Sequence, residues 1–176
     1  MDPRQATGAF PTEAAPGRRG GYPHAVADVL VVEDDEVIRG MLVFLLEGEG
    51  HTVEQAADGA EALEVLRRRT PACVVLDLMM PGVDGLTVLR TRQEEGLAVE
   101  ARVVVLTARS GTDDAVWCWE AGADEFVTKP FEPEQLLRTV RVLASLTPAE
   151  ALRRRQAGLT QSRQLDAIES ALRGRH

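Results

Sequence analysis

Short apolar runs alternate along the chain with longer stretches in which apolar residues recur every three or four positions. The runs are 28–32 (DVLVV), 52–56 (TVEQA), 72–77 (ACVVLD), 102–107 (RVVVLT) and 124–128 (DEFVT). The first, third and fourth are nearly continuous and β-branched, the pattern of strands buried on both faces. TVEQA is more polar and predicts an edge strand. Amphipathic stretches at 35–48, 59–69, 85–95, 112–121 and 133–146 predict five helices. Gly48 and Gly50 close the first of them and Pro71 follows the second, where stop signals belong. Strands and helices that alternate in this way imply an α/β fold: a doubly wound five-stranded parallel sheet covered on both faces. Such sheets bind ligands outside the carboxyl ends of their strands, where the strand order reverses.

The pattern also divides the chain. Residues 1–26 are rich in Pro, Gly and Ala without any period and predict a flexible tail. Residues 27–146 carry the alternating elements. Residues 147–176 predict a helical C-terminal extension: Thr147 and Glu150 form a capping box with Pro148 at the first helical position. Gly158 is expected to end or weaken that helix, and Leu165, Ile168 and Leu172 give a second helix one apolar stripe. The run Arg153-Arg154-Arg155 reads as a solvated helix face rather than a nucleic-acid contact.

Composition narrows the function. Of 176 residues 44% are hydrophobic, enough for a packed core, and the formal net charge of −8 argues against generic binding to nucleic acid or membrane surfaces. No apolar run is long enough to cross a bilayer and none resembles a signal peptide, so a cytoplasmic location is expected. Cys73 and Cys118 sit among apolar residues and read as small buried hydrophobes in a reducing compartment.

Chemistry gathers at the strand ends. The first strand runs into Glu33-Asp34-Asp35, the third ends in Asp77, the fourth in Thr107, and Lys129 follows the fifth. Adjacent carboxylates repel one another and lose hydration near a core, a cost that a hard divalent cation offsets. A carboxylate can attack phosphorus to give an aspartyl-phosphate, and a hydroxyl and an ammonium can bind the remaining phosphoryl oxygens.

The segments "VLVVEDD", "VVLDLMMPGVDG", "VVVLTARS" and "GADEFVTKPF" resemble, in order and spacing, the receiver domain of two-component response regulators. The resemblance spans roughly residues 28–146 and implies strand order 2-1-3-4-5. It implies that Asp77 is the phosphoacceptor. Mg²⁺ would be bound by Asp34 directly, by Glu33 through water, by Asp77 and by the backbone carbonyl of Met79. Asp35 would cap the first helix instead. Thr107 and Lys129 would contact the phosphoryl group, Phe126 would be the switch aromatic, and the Lys129–Pro130 bond would be cis. The implied partner is a sensor histidine kinase or a phosphotransfer protein. The implied role is signalling rather than enzymatic turnover, with at most slow self-catalysed phosphorylation and dephosphorylation. Met79 and Arg109 offer no carboxylate or amide to align a hydrolytic water, which predicts slow loss of the phosphoryl group.

Two other classes fit less well. A phosphatase of the haloacid dehalogenase type needs a second Asp two residues after the nucleophile, where this chain has Met79, which cannot transfer a proton. A nucleotide-binding flavodoxin-like domain would show a glycine-rich phosphate loop after the first strand, where this chain has "EDDE". Output is expected through a protein partner or self-association, using the surface of the fourth helix, fifth strand and fifth helix, or the C-terminal helices. In winged-helix regulators, the positions of Ala115, Gln135 and Thr139 are typically charged. Here they are not, and thirty residues after 146 are too few for a DNA-binding domain, so DNA binding is not expected of this chain. The alternative is a DNA-binding regulator whose output domain is absent from it. In "DDAVWCWEAG" the helical period turns Val116 and Trp119 inward and Trp117 towards water, which makes Trp117 a candidate partner surface.

Overall fold

Val29 to Val32, Cys73 to Leu76 and Val103 to Leu106 have almost no contact with solvent, and their side chains alternate between two cores. The computed structural model describes residues 26–108 and 112–173. Its strands are β1 (Asp28–Val32), β2 (Thr52–Ala56), β3 (Cys73–Asp77), β4 (Arg102–Thr107) and β5 (Glu125–Thr128). The helices are α1 (Glu36–Gly48), α2 (Gly59–Arg68), α3 (Gly85–Glu94), α4 (Thr112–Glu120), α5 (Pro133–Ser145) and α6 (Pro148–Arg173). The tail expected over residues 1–26 lies, except for Val26, outside the described residues.

All strands pair in parallel in the order β2-β1-β3-β4-β5. β2 is an edge, as its polarity predicts, and it is the more exposed strand beside β1. One core joins Val29, Val31, Val75, Val104 and Leu106 to Leu42 and Leu46 of α1 and Leu136 and Val140 of α5. The other joins Leu30, Val32, Leu76 and Val105 to residues of α2 and α3 and to Cys118 of α4. Both cysteines are buried and neither is in a disulfide, and burial pushes the Cys73 thiol up to about 12.

Capping sets where the helices begin. Asp35 accepts from the N–H groups of Val37 and Ile38 at 2.9 and 3.0 Å, so it caps α1 and leaves Glu33 and Asp34 free to face the sheet edge. Asp84 caps α3 by accepting from Thr87 at 2.8 Å. Directly after it, Gly85 passes so close to β3 that a Cβ there would stand 2.2 Å from the Asp77 carbonyl oxygen.

The C-terminal extension departs from expectation. The capping box forms: Thr147 donates its N–H and hydroxyl to Glu150 at 2.8 and 2.7 Å, and Glu150 N–H returns to the Thr147 hydroxyl at 3.3 Å. The helix then runs unbroken through Gly158, where two helices were expected. The reason is tertiary. Gly158 lies against the ring of Trp119, so close that a Cβ would meet Cζ2 at 2.3 Å. Here glycine permits close approach of two helices, and that packing outweighs its poor helix propensity. Leu165, Ile168 and Leu172 lie on one side of the distal half and are exposed.

Candidate functional site

The carboxyl edge of the sheet brings Glu33, Asp34, Asp77, Thr107 and Lys129 together. Glu33 follows β1 with its backbone N–H tied to the Ala56 carbonyl of β2 at 3.2 Å, which extends the sheet by one residue. Its side chain is therefore carried inward and buried. Asp34, next along, points outward and is exposed. Asp77 ends β3 and is also buried. Single carboxylate oxygens of Glu33, Asp34 and Asp77 all lie within 4.8 Å of one another.

Lys129 enters this cluster from the end of β5. Its backbone N–H donates to the Thr107 carbonyl at 2.8 Å, so β4 and β5 stay paired up to the site. Its Nζ is 2.7 Å from Glu33 Oε2 and 3.0 Å from Asp77 Oδ2. The Lys129–Pro130 peptide is cis. Met79 N–H donates to Asp77 Oδ1 at 3.2 Å, so both Asp77 oxygens have a partner. Arg39 reaches back from α1 to the backbone carbonyls of Glu33 and Asp34 at 2.8 and 3.2 Å, which holds the acidic turn against the helix.

The electrostatics follow from this crowding. Burial pushes the Glu33 carboxyl above its ordinary value; the Lys129 hydrogen bond opposes that shift and the Asp77 charge adds to it. Burial works against the Lys129 ammonium, but its hydrogen bonds to Glu33 and Asp77 outweigh it and hold the group above its ordinary value. Formally, one ammonium faces three carboxylates. The two negative charges left over are what a divalent cation balances, and oxygen-only donors suit a hard ion such as Mg²⁺. The residues present therefore fit the metal that the resemblance implies.

Thr107 closes β4 beside the site and is buried. Register pairs it with Thr128, and pairs Val105 with Phe126. Side chains alternate along strands, so Thr107 and Phe126 share one sheet face, the face that α4 covers. Phe126 is half-buried and meets Trp119 edge-on, with centroids 5.0 Å apart and planes at 66°. Trp117 points outward, 53% exposed, with the Arg90 guanidinium 5.1 Å above its ring. Arg109, the residue expected with Met79 to flank Asp77, lies outside the described residues.

Sequence reading missed a surface next to the site. Val37, Met41 and Phe44 form an exposed stripe on α1, with Val37 and Phe44 each more than three-quarters exposed. Beside the stripe, Ile38, Met41, Ala108, Lys129, Pro130 and Phe131 line a groove of about 460 Å³. The signal was present: "EVIRGMLVFLLEG" is apolar on more faces than burial against one sheet requires.

The response regulator receiver domain family matches residues 29–141. This chain belongs to that family. The receiver is 42% identical over 114 residues to the DNA-binding response regulator MtrA of Mycolicibacterium smegmatis, covering 64% of this chain and 48% of that protein. It is 43% identical over 122 residues to the response regulator MprA of Mycobacterium ulcerans, covering 69% of this chain and 52% of that protein. The chain thus spans about half the length of these curated relatives. Among solved structures, the receiver domain of Francisella response regulator 1452 aligns with TM-score 0.63 and 30% identity, over 67% of this chain and 96% of that one. The chemotaxis protein CheY4 of Vibrio cholerae aligns equally well, with TM-score 0.63 and 30% identity, over 68% of this chain and 99% of that one. α6 of the receiver lies beyond the residues matched by the family.

Proposed function

We propose that Asp77 accepts a phosphoryl group from a histidine kinase or phosphotransfer protein in an Mg²⁺-dependent step, and that the result is a signal rather than turnover of a substrate. The observation that carries this reading is Lys129 bridging two buried carboxylates in a cluster of three. A carboxylate oxygen of Asp77 attacks the phosphorus of phosphohistidine. The P–O bond forms as the P–N bond breaks, and the departing imidazole keeps the bonding pair and takes up a proton. Asp34, Asp77 and the Met79 carbonyl would hold Mg²⁺, with Glu33 reached through water; the bound ion supplies positive charge to the phosphoryl oxygens. Phosphorylation adds nearly two negative charges at Asp77. Lys129 is then drawn from Glu33 towards the phosphoryl group, and Thr107 turns inward to donate its hydroxyl to it. The space Thr107 leaves lies on the face it shares with Phe126, and Phe126 moves into it. The surface of α4, β5 and α5 changes as a result, and Trp117 on α4 is a candidate contact for whatever reads it.

The exposed α1 stripe and its adjoining groove support a donor protein docking beside Asp77. In an Asp77→Asn chain the shape of the site is kept and the nucleophile is lost. Phosphoryl labelling by a small donor with Mg²⁺, followed by intact mass, should vanish. Labelling at the wild-type level would overturn the assignment.

A second reading makes these residues the receiver of a DNA-binding regulator. It is favoured by the name of the mycobacterial relative MtrA and by the share of that protein this chain spans. Against DNA contact by the described residues, Arg154 and Arg155 of the basic run are engaged by Glu125 and Asp124.

A further inference from the structure

α6 lies along α4 and over the start of β5, the face that the proposed switch reshapes. The seat is built from specific parts. Gly158 rests on the buried ring of Trp119, with no room for a Cβ between them. Arg155 donates to Asp124 at 2.8 Å; Asp124 is wholly buried and also accepts from Val103 N–H at 2.9 Å. Arg154 pairs with Glu125, and Arg163 pairs with Glu120. Arg154 and Arg155 are thus docking groups rather than part of a solvated face, while Arg153 is exposed.

Trp119 has Gly158 on one side and the edge of Phe126 on another. Phe126 shares its sheet face with Thr107, and Thr107 closes the strand beside Asp77. A continuous set of contacts and strand neighbours therefore runs from the phosphoacceptor to α6. We infer that α6 is a reversible cover of the α4–β5 face, seated while Asp77 is unmodified and released when Asp77 is phosphorylated. This rests on the receiver reading given above. When Phe126 moves towards the space left by Thr107, Trp119 loses its edge contact and shifts. The contact with Gly158 has no slack, because two bodies this close cannot slide past each other without separating. Release uncovers the Trp119 ring ringed by Asp124, Glu125 and Glu120. Such a surface fits a basic helix with a small residue at its centre, and α6 is its resident occupant.

The test uses the full chain with Trp117→Phe, which leaves Trp119 as the one indole. Amide exchange along α6 and acrylamide quenching of Trp119 are measured with and without beryllofluoride and Mg²⁺, a mimic of the phosphoryl group. The mimic should raise both several-fold, and Asp77→Asn should abolish the response. Gly158→Ala should raise both several-fold without the mimic, although alanine is the better helix former. A helix held only by its own hydrogen bonds would instead be tightened by that change. Arg163→Glu should loosen α6 in the same direction, and adding Glu120→Arg should restore it. Unchanged α6 exchange in chains that have bound the mimic, or slower exchange in Gly158→Ala, overturns the proposal. Failure of the wild-type chain to bind the mimic or to be labelled at Asp77 overturns the receiver reading, and release falls with it.

Discussion

Lys129 neutralises part of a site that would otherwise hold only negative charge, and its removal separates two roles. Lys129→Ala removes one positive charge a few ångströms from the metal position, so Mg²⁺ should bind about tenfold more tightly or better, by Coulomb's law in a water-like dielectric. The same chain should still accept a phosphoryl group to some degree, yet α6 should stay seated. Titration of thermal stability with Mg²⁺, beside the exchange measurement, checks both halves. Glu33 makes the site pH-sensitive. Its carboxyl is held above the ordinary value, first by burial. In the metal-free chain, folding therefore favours the protonated form, and the stability Glu33 contributes is lost as pH rises through that raised value. On the proposed reading Mg²⁺ binds beside the charged form, so protons compete with it. The rise in melting temperature caused by Mg²⁺ should be full well above the raised Glu33 value and shrink as pH falls through it. A metal-induced shift independent of pH over that range would contradict the role given to Glu33.

Elements place these residues, and one close approach fixes the loop after Asp77. Gly85 opens α3 directly behind Asp77, and a Cβ there would overlap the Asp77 carbonyl. Gly85→Ala should destabilise the chain by about 1–3 kcal/mol through overpacking, despite better helix propensity, and should slow labelling of Asp77. Urea unfolding and the labelling rate measure the two effects. At this scale, the five strands and the first five helices were legible to within a residue or so, because apolar periodicity and Asp caps dominate where both faces of a sheet are buried. The approach of Glu33, Asp34, Asp77, Thr107 and Lys129 followed from their places at strand ends, once the sheet was known to be parallel. What the sequence did not disclose depends on contacts between distant elements. Gly158 reads locally as a helix breaker, and only the ring of Trp119, far away in the chain, explains why the helix continues. Arg154 and Arg155 read as solvated for the same reason: their partners Asp124 and Glu125 belong to another element.

Across the molecule, the sheet separates two working faces. α1, with its exposed Val37, Met41 and Phe44, packs on one side, while α4 packs on the other with α6 over it. On the proposed reading a donor protein docks on the first face and a small phosphodonor does not. Phe44→Ser should therefore slow transfer from a cognate kinase several-fold and leave labelling by a small donor unchanged; equal slowing of both would mean damage to the site itself. The Lys129–Glu33–Asp77 bridge lies at the carboxyl edge of the sheet, and Lys129 also lines the groove beside the α1 stripe. Because the stripe on α1 and the seat of α6 share no residue, arrival and departure are not rivals for space. If the cover lifts as inferred, a donor can still be in place when it does, so the interval between receiving the message and passing it on would be set inside the domain, and not by how quickly the messenger leaves.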